Sequence, residues 1–290
     1  MFRTDIHIRD PFILPLPARQ AYCMFGTTGG EVDGGRASGF DCYLTEDLDE
    51  FTGPYPAFRP PADFWADIKF WAPEVHFWQG RYYMFATFAR VEGDGHEKRG
   101  TGALVSDNPE GPYTPTSNGP LTPADWDCLD GTLYVDKDGA PWMVFCHEWA
   151  QITDGTICAT RLSGDLTAAV GDTVTLFRAS DAPWTRTLPI PGRENDGIYV
   201  TDGPFLFTAK DGQLAMLWSS FVEGGQYAIG VARAADNRVD GRWVHDKEPV
   251  YSRDGGHGML FYTYSGLRML SIHAPNSLGV ERPIFIPVDL

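Results

Sequence analysis

Five short motifs put a carboxylate or an imidazole beside glycine or proline at the head of an apolar stretch. They centre on Asp10 (before Pro11), Glu74 (after Ala72-Pro73), Asp130 (before Gly131), Asp202 (before Gly203-Pro204) and His257 (before Gly258). The anchors lie 64, 56, 72 and 55 residues apart. Carboxylates gathered in one place repel each other, which pushes some of their pKa values up. One carboxylic acid beside one carboxylate at neutral pH is the equipment of general acid–base catalysis. Inverting hydrolysis of a glycosidic bond needs such a pair, roughly 6.5–9.5 Å apart. One member protonates the leaving oxygen and the other activates water.

The anchors can cooperate only if the fold brings them together. Each opens a repeated unit: an apolar strand, a tight turn and a second apolar strand. Turns are signalled at Gln79-Gly80, Asp138-Gly139, Asp211-Gly212 and Ser265-Gly266. A third strand follows in four units, over 39–48, 102–113, 156–166 and 227–243. No unit of three or four short strands buries much alone. The spacing predicts an all-β fold, a five-bladed β-propeller formed as one domain over 1–290. In a propeller the first strand of each blade lines a central channel, so the five anchors are expected at one mouth. Residues 283–288 supply a strand of the last blade, and residues 1–8 are a candidate for another.

Composition narrows the partner. The chain carries 23 Lys and Arg against 39 Asp and Glu, a formal charge of −16. That balance disfavours nucleic acid and anionic membranes, which need clustered cations. A neutral sugar suits it, and the nine Trp and twelve Tyr offer flat apolar faces for stacking. No apolar run is long enough to span a bilayer. The five cysteines lack paired metal-ligand spacing and are expected as buried free thiols. The first residues show no basic and then apolar leader, so a cytoplasmic location is expected. No nucleotide or zinc motif is present, and Ser219-Ser220 lacks the elbow of a nucleophilic serine.

Arg9-Asp10-Pro11, Trp71-Ala72-Pro73-Glu74-Val75, Asp130-Gly131-Thr132-Leu133 and Thr201-Asp202-Gly203-Pro204 resemble the blade-start motifs of glycoside hydrolase family 43. His257-Gly258-Met259-Leu260 and Glu281-Arg282-Pro283-Ile284-Phe285 resemble its late motifs. The resemblance spans about residues 8 to 288. It implies a five-bladed propeller that inverts at the anomeric carbon, removing a terminal α-L-arabinofuranosyl or β-D-xylosyl unit from an oligosaccharide. By motif, Asp10 is the general base and Asp130 orients the acid and raises its pKa. The family's proton donor is a glutamate, where this chain has the shorter Asp202.

Three readings of that change follow. The loop advances Asp202, another carboxylate such as Glu148 or Glu194 donates the proton, or the chain binds sugars with little hydrolysis. The resemblance further implies that His257 helps hold a hydrated channel cation such as calcium, and that Arg282 binds sugar hydroxyls. No organic cofactor is implied. Phe70, Trp71, Glu74, His147, Glu148 and Trp149 are the remaining candidates for substrate contact. Galactofuranosidase or galactosidase specificity on the same fold is the alternative. A fructosidase is disfavoured, because Arg9 and Phe12 interrupt its Asn-Asp-Pro-Asn signature.

Overall fold

The computed structural model describes residues 1–28, 37–193 and 195–290. Nineteen strands among these residues form five antiparallel sheets. The first blade contains β1 (Arg9–Leu16), β2 (Ala21–Thr27), β3 (Phe40–Thr45) and β4 (Thr52–Phe58). The second contains β5 (Ile68–Trp78), β6 (Arg81–Val91), β7 (Glu97–Ser106) and β8 (Thr114–Pro115). The third contains β9 (Cys128–Val135), β10 (Pro141–His147), β11 (Thr156–Arg161) and β12 (Val174–Arg178). The fourth contains β13 (Asp202–Thr208), β14 (Leu214–Phe221), β15 (Tyr227–Ala234) and β16 (Trp243–His245). The fifth has three strands, β17 (Gly256–Tyr262), β18 (Arg268–Ala274) and β19 (Arg282–Pro287).

The expected five-bladed propeller is therefore present. The hairpin signals act as predicted. Gln79 and Gly80 both take positive φ, 47° and 85°, which suits a two-residue turn between twisted strands. Apolar side chains fill the space between blades. Phe70, Phe88, Phe58 and Phe64 pack with ring centroids 4.9 to 6.2 Å apart where the first two blades meet. Trp218, Phe177 and Trp184 play that part beside the fourth blade. All five cysteines are free and buried.

Residues 1–8 do not add a strand to the last blade, contrary to the sequence-based expectation. They form a single 3-10 turn (Arg3–Asp5), and Phe2 bridges to Glu50 in the first blade. The ring is closed instead by side chains that reach between β1 and the fifth blade. Ser271 Oγ donates to the Pro11 carbonyl at 2.6 Å, and Tyr264 Oη donates to the Ala21 carbonyl at 2.8 Å. Arg9 donates to Glu281 at 2.9 Å and to Asn276 at 2.6 Å.

Each inner strand carries a bulge at its mouth end, where the pairing register shifts. At the five bulges Asp10, Ala72, Asp130, Gly203 and His257 take left-handed φ values of 55°, 47°, 56°, 50° and 49°. For the four non-glycine residues this costs about 1 kcal/mol or more each. Bulges of this kind re-aim side chains next to active sites. Gly203 meets a second demand, since a Cβ there would lie 2.7 Å from the His257 ring.

Candidate active site

The strained backbone positions are held by hydrogen bonds from the neighbouring blade. Thr27 Oγ1 accepts the Ala72 N–H, Thr87 Oγ1 accepts that of Asp130, and Ser219 Oγ accepts that of His257, all at 2.8 Å. The Asp10 N–H goes to His273 Nδ1 at 3.2 Å. The Gly203 N–H goes to Asp130 Oδ2 at 3.0 Å. The bulge N–H groups are thus paired while the side chains of Asp10, Asp130 and His257 turn into one cavity of about 400 Å³.

All five blades line that cavity. Arg9, Asp10 and Thr27 come from the first and Trp71 from the second. Leu129, Asp130 and Glu148 come from the third, Asp202 and Tyr227 from the fourth, and His257, Asn276 and Leu278 from the fifth. Asp10 is held through both oxygens. Thr27 Oγ1 donates to Oδ2 at 2.8 Å, and His257 Nδ1 lies 3.2 Å from Oδ1. The same His257 nitrogen is 3.6 Å from Asp130 Oδ2. Tyr227 Oη donates to Asp202 Oδ2 at 2.9 Å.

Electrostatics separates the three aspartates. Burial opposes ionisation of Asp10, but the positive charge of His257 leads the effects that outweigh it and hold the carboxyl well below its usual range. Burial pushes Asp130 up to about 7 against the pull of His257, with Asp202 and Asp10 adding repulsion. Burial likewise raises Asp202, opposed by His257 and the Tyr227 hydroxyl. Asp130 and Asp202 titrate as a pair, so one proton is shared between them near neutrality. His257 itself is raised: burial disfavours its charge, and Asp10, Asp130 and Asp202 more than reverse that.

The predicted site residues divide into two groups. Asp10, Asp130, Asp202, His257, Trp71 and Glu148 meet in the cavity. The Trp71 ring lies under both Lys69 and Arg99, at 5.4 and 5.8 Å, and Arg99 pairs with Glu148. The others are placed elsewhere. Phe70 is fully buried among Phe58, Phe64 and Phe88, because neighbours on a strand face opposite ways and Trp71 takes the cavity side. Glu74 sits two residues deeper than the bulge residue Ala72 and bonds His76 at 3.2 Å. His147 stacks on Trp126 at 4.1 Å and bonds Gln151 at 2.7 Å. Trp149 opens a short helix (Trp149–Ile152) and carries Arg193 over its ring. Arg282 donates to the Thr4 carbonyl at 2.6 Å and to the His7 ring, tying down the N-terminal segment. Glu194 lies outside the described residues.

A hydrated channel cation is the sequence-based expectation for His257, which stands at the cavity. The neighbours of its Nδ1 are the carboxylates of Asp10 and Asp130. Among the described residues no group of three or more His, Cys, Asp or Glu side chains is arranged to hold a metal. The two carboxylates strengthen the hold of the His257 imidazole on its proton.

Sequence reasoning missed Arg9, Thr27, Leu129, Tyr227, Asn276 and Leu278. Arg9 had a signal, as a cation directly preceding Asp10 in an acidic chain. Tyr227 and Asn276 had none, since they lie on a third strand and a late loop whose approach to the mouth depends on sheet pairing.

The arrangement is that of acid–base chemistry on a bond lying across the cavity, and the comparisons agree. The family model for glycosyl hydrolases family 43 matches residues 6–286. A structure described as an endo-arabinase from Bacteroides thetaiotaomicron is 41% identical, with a TM-score of 0.88 over all of this chain and 97% of that one. An α-L-arabinofuranosidase from Lactobacillus brevis shares the fold, with a TM-score of 0.75 at 17% identity over 99% of this chain and 91% of that one. Xylosidase/arabinosidase 43A from Humicola insolens is 27% identical over 158 residues, half of this chain and 45% of that protein. The chain therefore belongs to glycosyl hydrolase family 43, whose members cleave glycosidic bonds with inversion and need no organic cofactor.

Proposed function

We propose that the protein is an exo-acting hydrolase that removes a terminal pentose, α-L-arabinofuranosyl or β-D-xylosyl, from an oligosaccharide. The supporting observation is a cavity walled by all five blades, with the three aspartates at its base. A walled cavity suits one chain end better than the middle of a polymer. Asp10 is the general base. It is ionised throughout the working range, and an oxocarbenium-like transition state asks little push of the attacking water. Asp202 is the general acid. Glu148 is the weaker candidate, because a carboxylate committed to an ion pair with Arg99 has no proton to give. Asp130 keeps the proton on Asp202 by holding a negative charge nearby and by fixing the Gly203 N–H. Trp71 offers its face to the sugar, and Arg9 and Asn276 offer polar contacts to its hydroxyls.

The relative described as an endo-arabinase favours a second reading, internal cleavage of arabinan. Product analysis separates the two. Linear α-1,5-arabino-oligosaccharides and β-1,4-xylo-oligosaccharides are digested to low conversion and resolved by chromatography. Exo action gives monosaccharide and a substrate shortened by one unit as the first products. A ladder of intermediate lengths from the outset would establish endo action.

The pH profile follows from the two carboxyl environments. A base held below its ordinary pKa must be ionised, so activity persists as pH falls through the usual carboxylate range. The acid must be protonated, so activity declines as pH rises through the raised pKa of the Asp202 carboxyl. A profile of kcat/KM should therefore be flat on its acidic side and fall on its alkaline side, at a pH above the ordinary aspartate range. A fall on the acidic side with a midpoint near 4 would contradict the environment assigned to Asp10.

A further inference from the structure

We propose that His273 is a positioning residue that sets both members of the acid–base pair. The proposal rests on the assignment of Asp10 as base and Asp202 as acid. At four of the five bulges the backbone N–H is held by a side chain on the second strand of the preceding blade. Three of those side chains are hydroxyls, Thr27, Thr87 and Ser219. The fourth is the imidazole of His273, and it serves the bulge that carries Asp10.

His273 is fully buried on β18. Its ring orientation follows from its partners. Asn276 Oδ1 accepts from Arg9 at 2.6 Å, so that atom is an acceptor. His273 Nε2 lies 3.3 Å from the same oxygen and must carry the hydrogen. Nδ1 is then bare and accepts the Asp10 N–H at 3.2 Å, with the Asp10 Oδ1 oxygen 3.3 Å away. In this state His273 fixes the backbone of the base without protonating it.

The same ring reaches the acid. Its face stacks on Tyr227, with centroids 5.7 Å apart and planes at 21°. The Tyr227 hydroxyl is the hydrogen-bond donor that holds Asp202. One imidazole thus acts on the base through its edge and on the acid through its face. A hydroxyl at this position would reach only the first. A shift of about 1 Å in either carboxyl is enough to cost on the order of a hundredfold in rate.

Two substitutions separate the roles. His273→Phe keeps a flat ring for Tyr227 and removes the acceptor. His273→Asn keeps an acceptor near Nδ1 and removes the stack. Each is assayed on a 4-nitrophenyl glycoside, whose leaving group needs little acid help, and on an oligosaccharide, which needs it. Asp10→Asn and Asp202→Asn run beside them, with circular dichroism to confirm folding. His273→Phe is expected to lower kcat by about a hundredfold on both substrates with KM little changed. His273→Asn is expected to stay within about threefold of wild type on the nitrophenyl glycoside and to lose about tenfold or more on the oligosaccharide. Near-wild-type turnover by both folded variants, or the same loss on both substrates in both, overturns the proposal. Turnover that survives Asp10→Asn or Asp202→Asn overturns the acid–base assignment instead. Nitrogen NMR of the wild-type imidazole gives a test that needs no variant to fold. A bare Nδ1 and a protonated Nε2 are expected, and a hydrogen on Nδ1 rules the proposal out.

Discussion

Asp10→Asn is expected to lower kcat by about 10² to 10⁴-fold on nitrophenyl glycosides and oligosaccharides alike, with little change in KM. The amide matches the carboxylate in shape and can still accept from Thr27. It cannot take a proton from water. The loss is independent of the leaving group because the water must be activated whichever bond breaks. The substitution also removes the counter-charge nearest His257, which is held protonated mainly by Asp10. The imidazole is therefore expected to lose its proton at a lower pH in the variant. A proton NMR titration of His257 follows this directly, and an unmoved midpoint would mean that Asp10 is not its principal partner.

Asp202→Asn is expected to show the complementary pattern. Turnover of an oligosaccharide should fall by about 10² to 10⁴-fold, because a sugar alkoxide leaves only with a proton. Turnover of a 4-nitrophenyl glycoside should fall far less. The decline on the alkaline side of the pH profile should vanish with the group that causes it. Asp202→Glu, which restores the longer side chain common to the family, is expected to lower activity. The Asp202 carboxylate is already seated 2.9 Å from the Tyr227 hydroxyl, on the residue before a left-handed glycine. An added methylene must displace that contact. A rise in activity would mean that Asp202 falls short of the glycosidic oxygen and that the site is built for glutamate.

The propeller was legible because its signals are local and repeated. Two-residue turns and alternating apolar strands recur at each blade, and none depends on a distant contact. The three aspartates of the cavity were legible for a related reason. Asp10 and Asp130 are the bulge residues themselves, and Asp202 directly precedes one. Glu74 shows where this reasoning stops. It shares the motif pattern, but the left-handed residues of its strand are Lys69 and Ala72, and the bulges that decide this are a property of the pairing between β5 and β6. Successive side chains on a strand point to opposite faces, so Trp71 lines the cavity while its neighbour Phe70 is buried in the core. Arg282 was expected in the site and Arg9 was overlooked. The buried Glu281 pairs with Arg9 across 272 residues, and Arg282 turns to the N-terminal segment. Contacts between the first and last blades exist only once the ring has closed. His273 is hidden for that reason too, and Tyr227 because its approach to Asp202 depends on strand pairing within the fourth blade.

The central claim is that water activated by Asp10 attacks from the face opposite the leaving group, which departs with the proton of Asp202. Proton NMR of the anomeric signals during the first turnovers tests it most directly, before mutarotation mixes the anomers. The account predicts that wild type releases only the inverted anomer and that Asp10→Asn releases essentially none. A first product of retained configuration, or release that continues in Asp10→Asn, would contradict it.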